Sequence, residues 1–298
     1  MEINSIADDR VDAFADTLMP CDFKPYSGKL YTGVDLGTAY IVTAVVDKDG
    51  TPVAGVLTKS VSCIRDGLVL DYMGAISILK KQVETLHRFG YNVCDAAAAY
   101  PPGTEGRNAN AFANVLESAG LEVRLLTDEP TAASRVLEIT DGAVVDIGGG
   151  TTGISIIKNG KVIYTADEAT GGTHVNLVLA GHYKISVQKA EKMKMDAKHQ
   201  PDILNLIEPV FQKIASIVKY HLKDNPVENI YLVGGTSCFP GIGKVIEMET
   251  GLNVLVPRNP LLVTPLGIAL SLIEESFGFP QISEIKHEND ECTNSAYH

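Results

Sequence analysis

Hydrophobic residues recur along this chain with two alternating periods. Short apolar runs of strand composition are separated by segments in which apolar residues return every three or four positions. Besides the repeated segments described below, the predicted strands are Ala96–Tyr100, Glu122–Leu126, Asn229–Val233 and Asn253–Val256. The predicted helices are Tyr72–Phe89, Ala109–Ala119 and Pro209–Leu222. Strands that alternate with helices predict an α/β protein.

One β unit occurs twice. The segments GVDLGTAYIVTAVVDKDGTPVAGV from Gly33 and VVDIGGGTTGISIIKNGKVIYTA from Val144 each predict a strand, a Gly/Thr turn, a second strand, a hairpin turn and a third strand. Asp-Gly or Asn-Gly between β-rich runs is a strong hairpin signal. Asp35 and Asp146 stand at the end of the first strand in the two copies. The repeat therefore predicts two similar half-domains that face each other.

The two ends of the chain differ from its middle. Residues 5–19 place apolar side chains at helical spacing up to Pro20, which predicts a short amphipathic helix followed by a loop. This helix either lies on the protein's own body or docks to a partner. The polar, aperiodic stretch that begins at Glu284 predicts a disordered tail.

Charge and cysteine content exclude several classes of function. The chain has 25 Lys and Arg against 37 Asp and Glu, a formal net charge of −12, so we expect no nucleic-acid partner and no anionic membrane surface. No apolar run reaches the roughly 20 residues of a membrane span, and the acidic N-terminus is unlike a signal peptide. The five cysteines form no CxxC pair, which argues against a zinc knuckle or a disulfide framework. These features predict a reduced, cytoplasmic, globular protein.

The two Gly/Thr turns have the composition of phosphate-binding loops. Glycine lets consecutive backbone N–H groups approach an anion, and threonine adds a hydroxyl donor. Carboxylates at Asp35 and Asp146 would repel phosphate unless a divalent cation lay between them, an arrangement that Mg²⁺ prefers. One such turn alone is usually structural. Two copies with the same aspartate favour a nucleotide tail and its Mg²⁺ bound from both sides.

Two other nucleotide motifs are excluded. Gly148–Gly153 formally matches G-x-G-x-x-G, but the dinucleotide motif needs a helix to open at the glycines, and here the apolar run Ile154–Ile157 predicts a strand. Gly243-Lys244 is followed by Val245 and lacks the correctly spaced glycine of a Walker A loop.

Five ordered motifs resemble those of the actin/Hsp70/sugar-kinase ATPase superfamily. They are GVDLGTAY at Gly33–Tyr40, TDEPTAAS at Thr127–Ser134, VVDIGGGTTG at Val144–Gly153, YLVGGTSCFPGI at Tyr231–Ile242 and TPLGIAL at Thr264–Leu270. In that order they resemble the phosphate-1, first connecting, phosphate-2, adenosine and second connecting segments. Within the superfamily, RDGLVLDY at Arg65–Tyr72, YPPGT at Tyr100–Thr104 and DEATGGTH at Asp167–His174 are most similar to the ethanolamine-utilisation J family, whose operons build bacterial microcompartments.

The resemblance implies an actin-like (ribonuclease H-like) ATPase fold with two similar α/β half-domains around a nucleotide cleft. The expected divisions are an N-terminal helix and arm at 1–28, a first half at 29–141, a second half at 142–263, a return to the first half at 264–280 and a polar tail at 281–298.

The resemblance also implies roles for individual residues, with ATP and Mg²⁺ as cofactors. Asp35 and Asp146 would hold Mg²⁺, and Glu129 would orient the attacking water, with Thr151 completing the catalytic group. By itself, Glu129 would instead cap the helix that follows it. The remaining nucleotide contacts implied by the resemblance are Gly37, Thr38, Ala39, Gly148, Gly149, Gly150, Thr151, Glu191, Lys194, Gly234, Gly235 and Thr236.

Some positions depart from the Hsp70 pattern. Ala39 replaces a second threonine, Cys238 replaces the arginine that stacks on adenine, and no clear equivalent of the catalytic lysine is found, with Lys59 and Lys80 as candidates. Slow ATP hydrolysis and nucleotide binding with little turnover therefore both stay open. Glu191 and Lys194 share one helix face, where an ion pair exposed to solvent is the alternative to ribose contacts. His174 is expected to start a helix rather than bind a ligand.

Three functions follow from this resemblance. The first is an ATP-dependent accessory or chaperone-like assembly factor that acts with proteins of the ethanolamine-utilisation system, in the cytoplasm and in association with a microcompartment. The second is an actin-like filament or scaffold that self-associates. The third is a small-molecule kinase of the acetate- or sugar-kinase type, which would need a base for the acceptor hydroxyl beyond Glu129.

Overall fold

The computed structural model describes residues 5–19, 26–60, 63–65, 67–104 and 107–276. The predicted tail at 281–298 and most of the arm that follows the N-terminal helix lie outside the described residues.

The N-terminal part of the chain builds a five-stranded mixed sheet in the order β3-β2-β1-β6-β7. Its elements are α1 (Ser5–Asp16), β1 (Tyr31–Leu36), β2 (Tyr40–Val46), β3 (Pro52–Lys59), β4 (Ile64–Arg65), β5 (Leu68–Val69), α2 (Tyr72–Arg88), β6 (Asp95–Tyr100), α3 (Arg107–Ser118), β7 (Glu122–Asp128) and α4 (Glu129–Leu137). We call this sheet and the helices on it the first half. Strands β1 to β3 form an antiparallel meander, and β6 and β7 run parallel to β1.

The C-terminal part builds a second five-stranded sheet with the same topology, in the order β10-β9-β8-β11-β12. Its elements are β8 (Gly142–Ile147), β9 (Thr152–Lys158), β10 (Lys161–Glu168), α5 (Gly172–Tyr183), α6 (Val187–Met195), α7 (Gln200–Leu222), β11 (Asn229–Val233), a short 3₁₀ helix at Gly235–Cys238, α8 (Ile242–Thr250), β12 (Asn253–Leu255) and α9 (Pro260–Ser276). We call this sheet, with α5 to α8, the second half. The repeated β unit of the sequence thus supplies β1 to β3 and β8 to β10.

Alternation along the central strands explains how the halves pack. Ile41 faces a core formed with α2 and α3, whereas its neighbour Val42 faces the core between the halves. Val144 likewise faces the middle core, and Val145 faces a third core formed with α5, α7 and α8. Because successive strand residues point to opposite faces, each sheet is covered on both sides.

Helices α4 and α9 occupy the middle layer. They pack closely on each other, and α9 also lies along β1 and β2, although the strand before it belongs to the second sheet. Ala132, Ala133, Leu266 and Ala269 are fully buried at this crossing. The chain therefore passes from the first half to the second through α4 and returns through α9.

Candidate functional site

One cavity of about 270 Å³ lies between the two halves, next to the turns that follow β1 and β8. All fifteen residues to which the resemblance assigned a catalytic, metal or nucleotide role line it. These residues are Asp35, Gly37, Thr38, Ala39, Glu129, Asp146, Gly148, Gly149, Gly150, Thr151, Glu191, Lys194, Gly234, Gly235 and Thr236. The structure thus brings all of them to one place, while their individual roles stay predictions.

The two Gly/Thr turns meet directly across this cavity. A Cβ atom placed on Gly149 would lie 3.2 Å from the Thr38 Cβ and 3.5 Å from the Ala39 N. The turn of the second half therefore approaches that of the first half with backbone alone, which is the close approach that glycine permits.

Hydrogen bonds hold the turn of the second half from below. The Gly148 carbonyl accepts from the Gly172 N–H (3.0 Å) and from the Thr236 hydroxyl (2.7 Å), and the Gly149 carbonyl accepts from the Thr173 N–H (2.7 Å). Because the carbonyl groups of the turn are engaged in these bonds, the start of α5 and the 3₁₀ helix fix the orientation of the turn.

Three carboxyl groups converge on the base of the cavity. Burial, and then the neighbouring Asp146, raise the pKa of Asp35 well above its ordinary value. Burial also raises the pKa of Asp146, although the Thr264 hydroxyl donates to its Oδ2 over 2.6 Å and opposes that shift. The pKa of Glu129 is raised by burial and then by the charges of Asp146 and Asp35. Carboxylates in such a group favour protonation or a bound cation.

Asp146 is also the most tightly packed of the three. The residue is only 6% exposed. Gly234, which has φ = +88°, lies against it, and a Cβ at this glycine would collide with the Asp146 Oδ1 and stand 2.6 Å from the Ile147 carbonyl oxygen. Only glycine fits this position.

Glu129 is the first residue of α4, but it does not cap the helix. The cap is Asp128, whose Oδ1 accepts from the Thr131 N–H (3.0 Å) and from the Ser155 hydroxyl (3.3 Å). The capping alternative for Glu129 is therefore wrong, and its half-buried side chain lines the cavity instead.

The sequence reasoning missed two residues: Thr264, which lines the cavity, and Asp167, which contacts Thr151 of the cavity wall. Asp167, near the end of β10, bonds to Thr151, and burial raises its pKa to about 7. Its Oδ1 is buried without a hydrogen-bond partner. Asp167 begins the DEATGGTH motif, and Thr264 begins TPLGIAL. Both motifs supported the resemblance, but neither residue was assigned a role in the site.

The far end of the cavity has a different chemistry. Lys59 forms an ion pair with Glu191 across the cleft (2.9 Å), and the Tyr40 hydroxyl reaches the Met195 Sδ (3.6 Å), so both contacts join the two halves. Lys194 donates to the Gly172 carbonyl (3.3 Å), and burial lowers its pKa to about 8. Glu191 and Lys194 thus contact different groups rather than forming a surface pair with each other.

Three other predicted positions fall as follows. Cys238 lines the cavity beside Tyr40, Lys80 is exposed on α2, away from the cleft, and His174 lies in the first turn of α5, where its Nδ1 accepts from the Gly171 N–H (3.4 Å). Within the described ranges, no cluster of three or more His, Cys, Asp or Glu side chains is arranged to hold a metal ion by itself. In the same part of the chain, no helix combines the length and apolarity needed to cross a bilayer.

Comparisons with known proteins place this cleft in context. A family model for the type IV pilus assembly protein PilM matches residues 117–263. The ethanolamine utilization protein EutJ of Escherichia coli (strain K12) is 45% identical over 251 residues, which cover 84% of this chain and 88% of that protein.

Solved structures show the same relationship. The crystal structure of EutJ from Carboxydothermus hydrogenoformans has a TM-score of 0.83 and 46% identity over 89% of this chain and 97% of that one. MreB 5 of Spiroplasma citri bound to AMPPNP has a TM-score of 0.69 over 85% of this chain and 98% of that one. Its identity of 18% means that this second likeness concerns the fold alone.

Proposed function

The chain belongs to the EutJ family of ethanolamine utilization proteins and has the actin-like ATPase fold, and on that premise we propose that it binds Mg-ATP in the cleft between its halves. The nucleotide would control how the halves close, and closure would change a surface that proteins of the ethanolamine-utilisation system recognise. In this view the protein is an ATP-dependent accessory factor, chaperone-like in action. Its cytoplasmic and microcompartment location stays a prediction.

One observation carries the proposal: the two Gly/Thr turns meet across the cavity with Asp35 and Asp146 at their base. Each turn alone could be an ordinary hairpin turn. Facing each other, they offer backbone and hydroxyl donors to a phosphate chain from two sides. The bound AMPPNP of the Spiroplasma MreB 5, a protein of the same fold, supports the choice of a nucleotide.

The residues present fit Mg²⁺. Asp35 and Asp146 are two buried carboxyl groups close enough that the charge of one raises the pKa of the other, a repulsion that a divalent cation would relieve. Few protein carboxylates, completed by water and phosphate oxygens, match the coordination that Mg²⁺ prefers. Bound there, Mg²⁺ would neutralise charge on the phosphates.

Glu129 is the group that we expect to handle water. Glu129 lies at the N-terminus of α4 beside both aspartates, where its carboxylate would orient a water molecule and accept its proton at an Oε atom. Asp167, which bonds to Thr151, would help to keep the pKa of Glu129 raised through its charge. Lys194 and Glu191 stand at the opposite end, where they would contact the ribose.

Calorimetry tests the binding, and capture of partners tests the function. We expect the wild-type protein to bind ATP in Mg²⁺ and much more weakly in EDTA, because the carboxylates repel the nucleotide when no cation is present. The same protein, immobilised with Mg-ATP or without nucleotide, should retain different sets of ethanolamine-utilisation proteins. Identical sets in both states would refute the switch. Light scattering that rises with protein concentration and ATP would favour a filament instead.

A further inference from the structure

Arg258, in the turn between β12 and α9, is surrounded by three carboxylates of α1. Its Nε lies 3.4 Å from the Asp8 Oδ2, its Nη2 lies 2.8 Å from the Asp9 Oδ1, and its Nη1 lies 2.7 Å from the Asp12 Oδ2. The hydrogen bond to Asp9, with the charges of Asp12 and Asp8, raises the pKa of Arg258. One guanidinium therefore joins an N-terminal helix to a turn some 250 residues further along the chain.

The same contact also fixes the backbone of the turn. The Asp8 Oδ1 accepts from the Arg258 N–H (3.0 Å), and the Asp12 Oδ1 accepts from the Asn259 side-chain amide (2.6 Å). Exposed ion pairs alone contribute little to stability. A carboxylate that binds a main-chain N–H and a guanidinium together specifies where the chain lies, and Asp8 is only 17% exposed.

The residues that follow this turn reach the cleft. The Pro260 carbonyl accepts from the Gly234 N–H (2.9 Å), and the Leu261 side chain packs against Gly235. Thr264, in the first turns of α9, donates to Asp146. The turn that α1 holds is thus followed directly by the residues that contact Gly234 and Gly235, at the nucleoside end of the cavity, and the Asp146 carboxylate.

The other side of α1 belongs to the first half. Val11 and Phe14 are fully buried, and the Phe14 ring lies against Gly55 of β3. After the helix, the Met19 N–H donates to the Gly55 carbonyl (2.8 Å) and the Gly55 N–H donates to the Thr17 carbonyl (3.1 Å), so the chain runs along the outer edge of β3. Helix α1 is therefore attached to the first half by apolar contacts. Ion pairs attach it to the turn through which the chain leaves the second half.

We infer that α1 is a strap whose docking and the nucleotide state of the cleft favour one another, with Arg258 as the positioning residue that links them. The inference rests on the proposed function, since it needs a nucleotide in the cleft. Coupling between two sites is reciprocal: if the docked strap improves ATP binding, bound ATP must hold the strap more firmly. A partner that captured α1 would then loosen the nucleotide.

The test uses the full chain with Arg258→Gln, which removes the charge and the fork but leaves a polar side chain. Arg124→Gln is the matched control, because Arg124 is similarly exposed and also contacts two carboxylates, Asp95 (3.2 Å) and Glu122 (2.7 Å), at the outer strand of the first sheet. Two quantities are measured for each protein: the affinity for Mg-ATP by calorimetry, and the hydrogen-exchange rates of the α1 amides with and without Mg-ATP.

We expect Arg258→Gln to weaken ATP binding about fivefold, the low end of coupling between linked sites, while Arg124→Gln leaves it unchanged. Mg-ATP should slow exchange in α1 of the wild type and of Arg124→Gln, and should have little effect in Arg258→Gln. Arg258→Lys, which keeps the charge but loses the fork, should recover part of both effects. Asp12→Asn approaches the same contact from α1 and should resemble Arg258→Gln.

The possible failures are distinguishable. If the wild type binds ATP but Arg258→Gln has the same affinity and the same nucleotide-dependent exchange, the strap is overturned and the proposed function stands. If the wild type binds no nucleotide, the proposed function fails and the coupling fails with it. A loss of affinity without any change in α1 exchange would also overturn the strap, because reciprocity would be violated.

Discussion

Asp35 and Asp146 occupy matching places, each next to last in the first strand of its half, but their surroundings differ. Asp146 is 6% exposed, accepts a hydrogen bond from the Thr264 hydroxyl and packs against Gly234. Asp35 is half-buried, and burial and then Asp146 raise its pKa. For Asp146, by contrast, the Thr264 hydroxyl opposes such a rise. The duplicated β unit thus supplies one rigidly placed carboxylate and one that is held mainly by the strand itself.

The outer edges of the two sheets also differ, but here the first half has the additional contacts. The edge of β3 is covered by α1 and the residues after it. Among the described residues, no strand or bridge pairs with the outer edge of β10, which carries a bulge between Val162 and Tyr164 and leaves Ile163 45% exposed. A bulge is one way to keep a free edge from pairing with another chain. In the first half, α1 and the residues after it cover the edge strand β3. In the second half, the bulge in β10 protects the edge instead.

The largest expected effect tests how firmly the second half is fixed. Gly234→Ala should lower the free energy of unfolding by about 3 kcal/mol or more, because the new Cβ would overlap Asp146 and the Ile147 carbonyl at a positive φ. Gly251→Ala is the control, since its φ is +74° but nothing lies within 4 Å of the new Cβ. That change should lower the same quantity by about 1 kcal/mol. Equal effects in urea denaturation would show that Gly234 is not crowded.

The next prediction compares two buried threonines. Thr264→Val leaves Asp146 without its hydroxyl donor and should destabilise the protein by about 1–3 kcal/mol. Thr32→Val removes a hydroxyl of the first half that is buried without a partner, so it should be neutral or stabilising. Both changes keep the side-chain shape. Urea denaturation of the two variants decides the matter, and a loss at Thr32 equal to that at Thr264 would contradict the comparison.

The pH dependence of stability is a third test. Because the pKa of Asp146 is raised on folding, the folded protein holds a proton that the unfolded chain releases above about pH 4. That stabilisation is present at low pH and is lost as the pH rises through the folded-state pKa. Asp146→Asn should therefore melt near the wild type at about pH 4, where the stabilisation is still present, and above it at pH 8, without Mg²⁺. The control is Asp224→Asn, which removes an exposed carboxylate. If the difference in melting temperature between Asp146→Asn and the wild type narrowed toward pH 8, the raised pKa of Asp146 would be refuted.

The smallest effect concerns the ion pair across the cleft. Lys59→Met removes the bond to Glu191, but Lys59 is 45% exposed, so the free energy of unfolding should change by less than about 1 kcal/mol. Lys48→Met, which removes a pair within one turn, is the control. A change at Lys59 of several kcal/mol, measured by urea denaturation, would mean that the halves depend on this contact.

Much of the fold was predictable because the apolar periods are strong. The predicted strands and helices α2 and α3 lie within a residue or two of the observed bounds. Helix α7 was predicted to begin at Pro209 but begins at Gln200, because Ile203 and Ile207 continue the buried face before the proline. Helices α5 and α6 were predicted without bounds, from His174 at a helix start and from Glu191 and Lys194 on one helix face. Apolar Leu177 is exposed on α5, and α6 is rich in lysine, so neither shows a clear apolar stripe.

The candidate site was predictable only in part, for a physical reason. The repeated turns and their aspartates are local patterns, and they could be found in the sequence. The Thr151–Asp167 and Thr264–Asp146 bonds join residues that are distant in the chain, and no local pattern states which face each side chain takes. Helix α1 was predicted to be amphipathic, but its bond to Arg258 depends on the fold that brings the turn beside it.

The most direct test of the central claim is calorimetry with ATP on two double variants. Asp35→Ala plus Asp146→Ala removes the carboxylates at the base of the cleft, and Asp49→Ala plus Asp224→Ala removes two exposed carboxylates elsewhere. We expect the control pair to bind Mg-ATP like the wild type and the cleft pair to bind it about 100-fold more weakly, as for the loss of two charge-assisted contacts. In EDTA the order should reverse, because the cleft pair no longer repels the phosphates. Unchanged Mg-ATP affinity in the cleft pair would contradict the account.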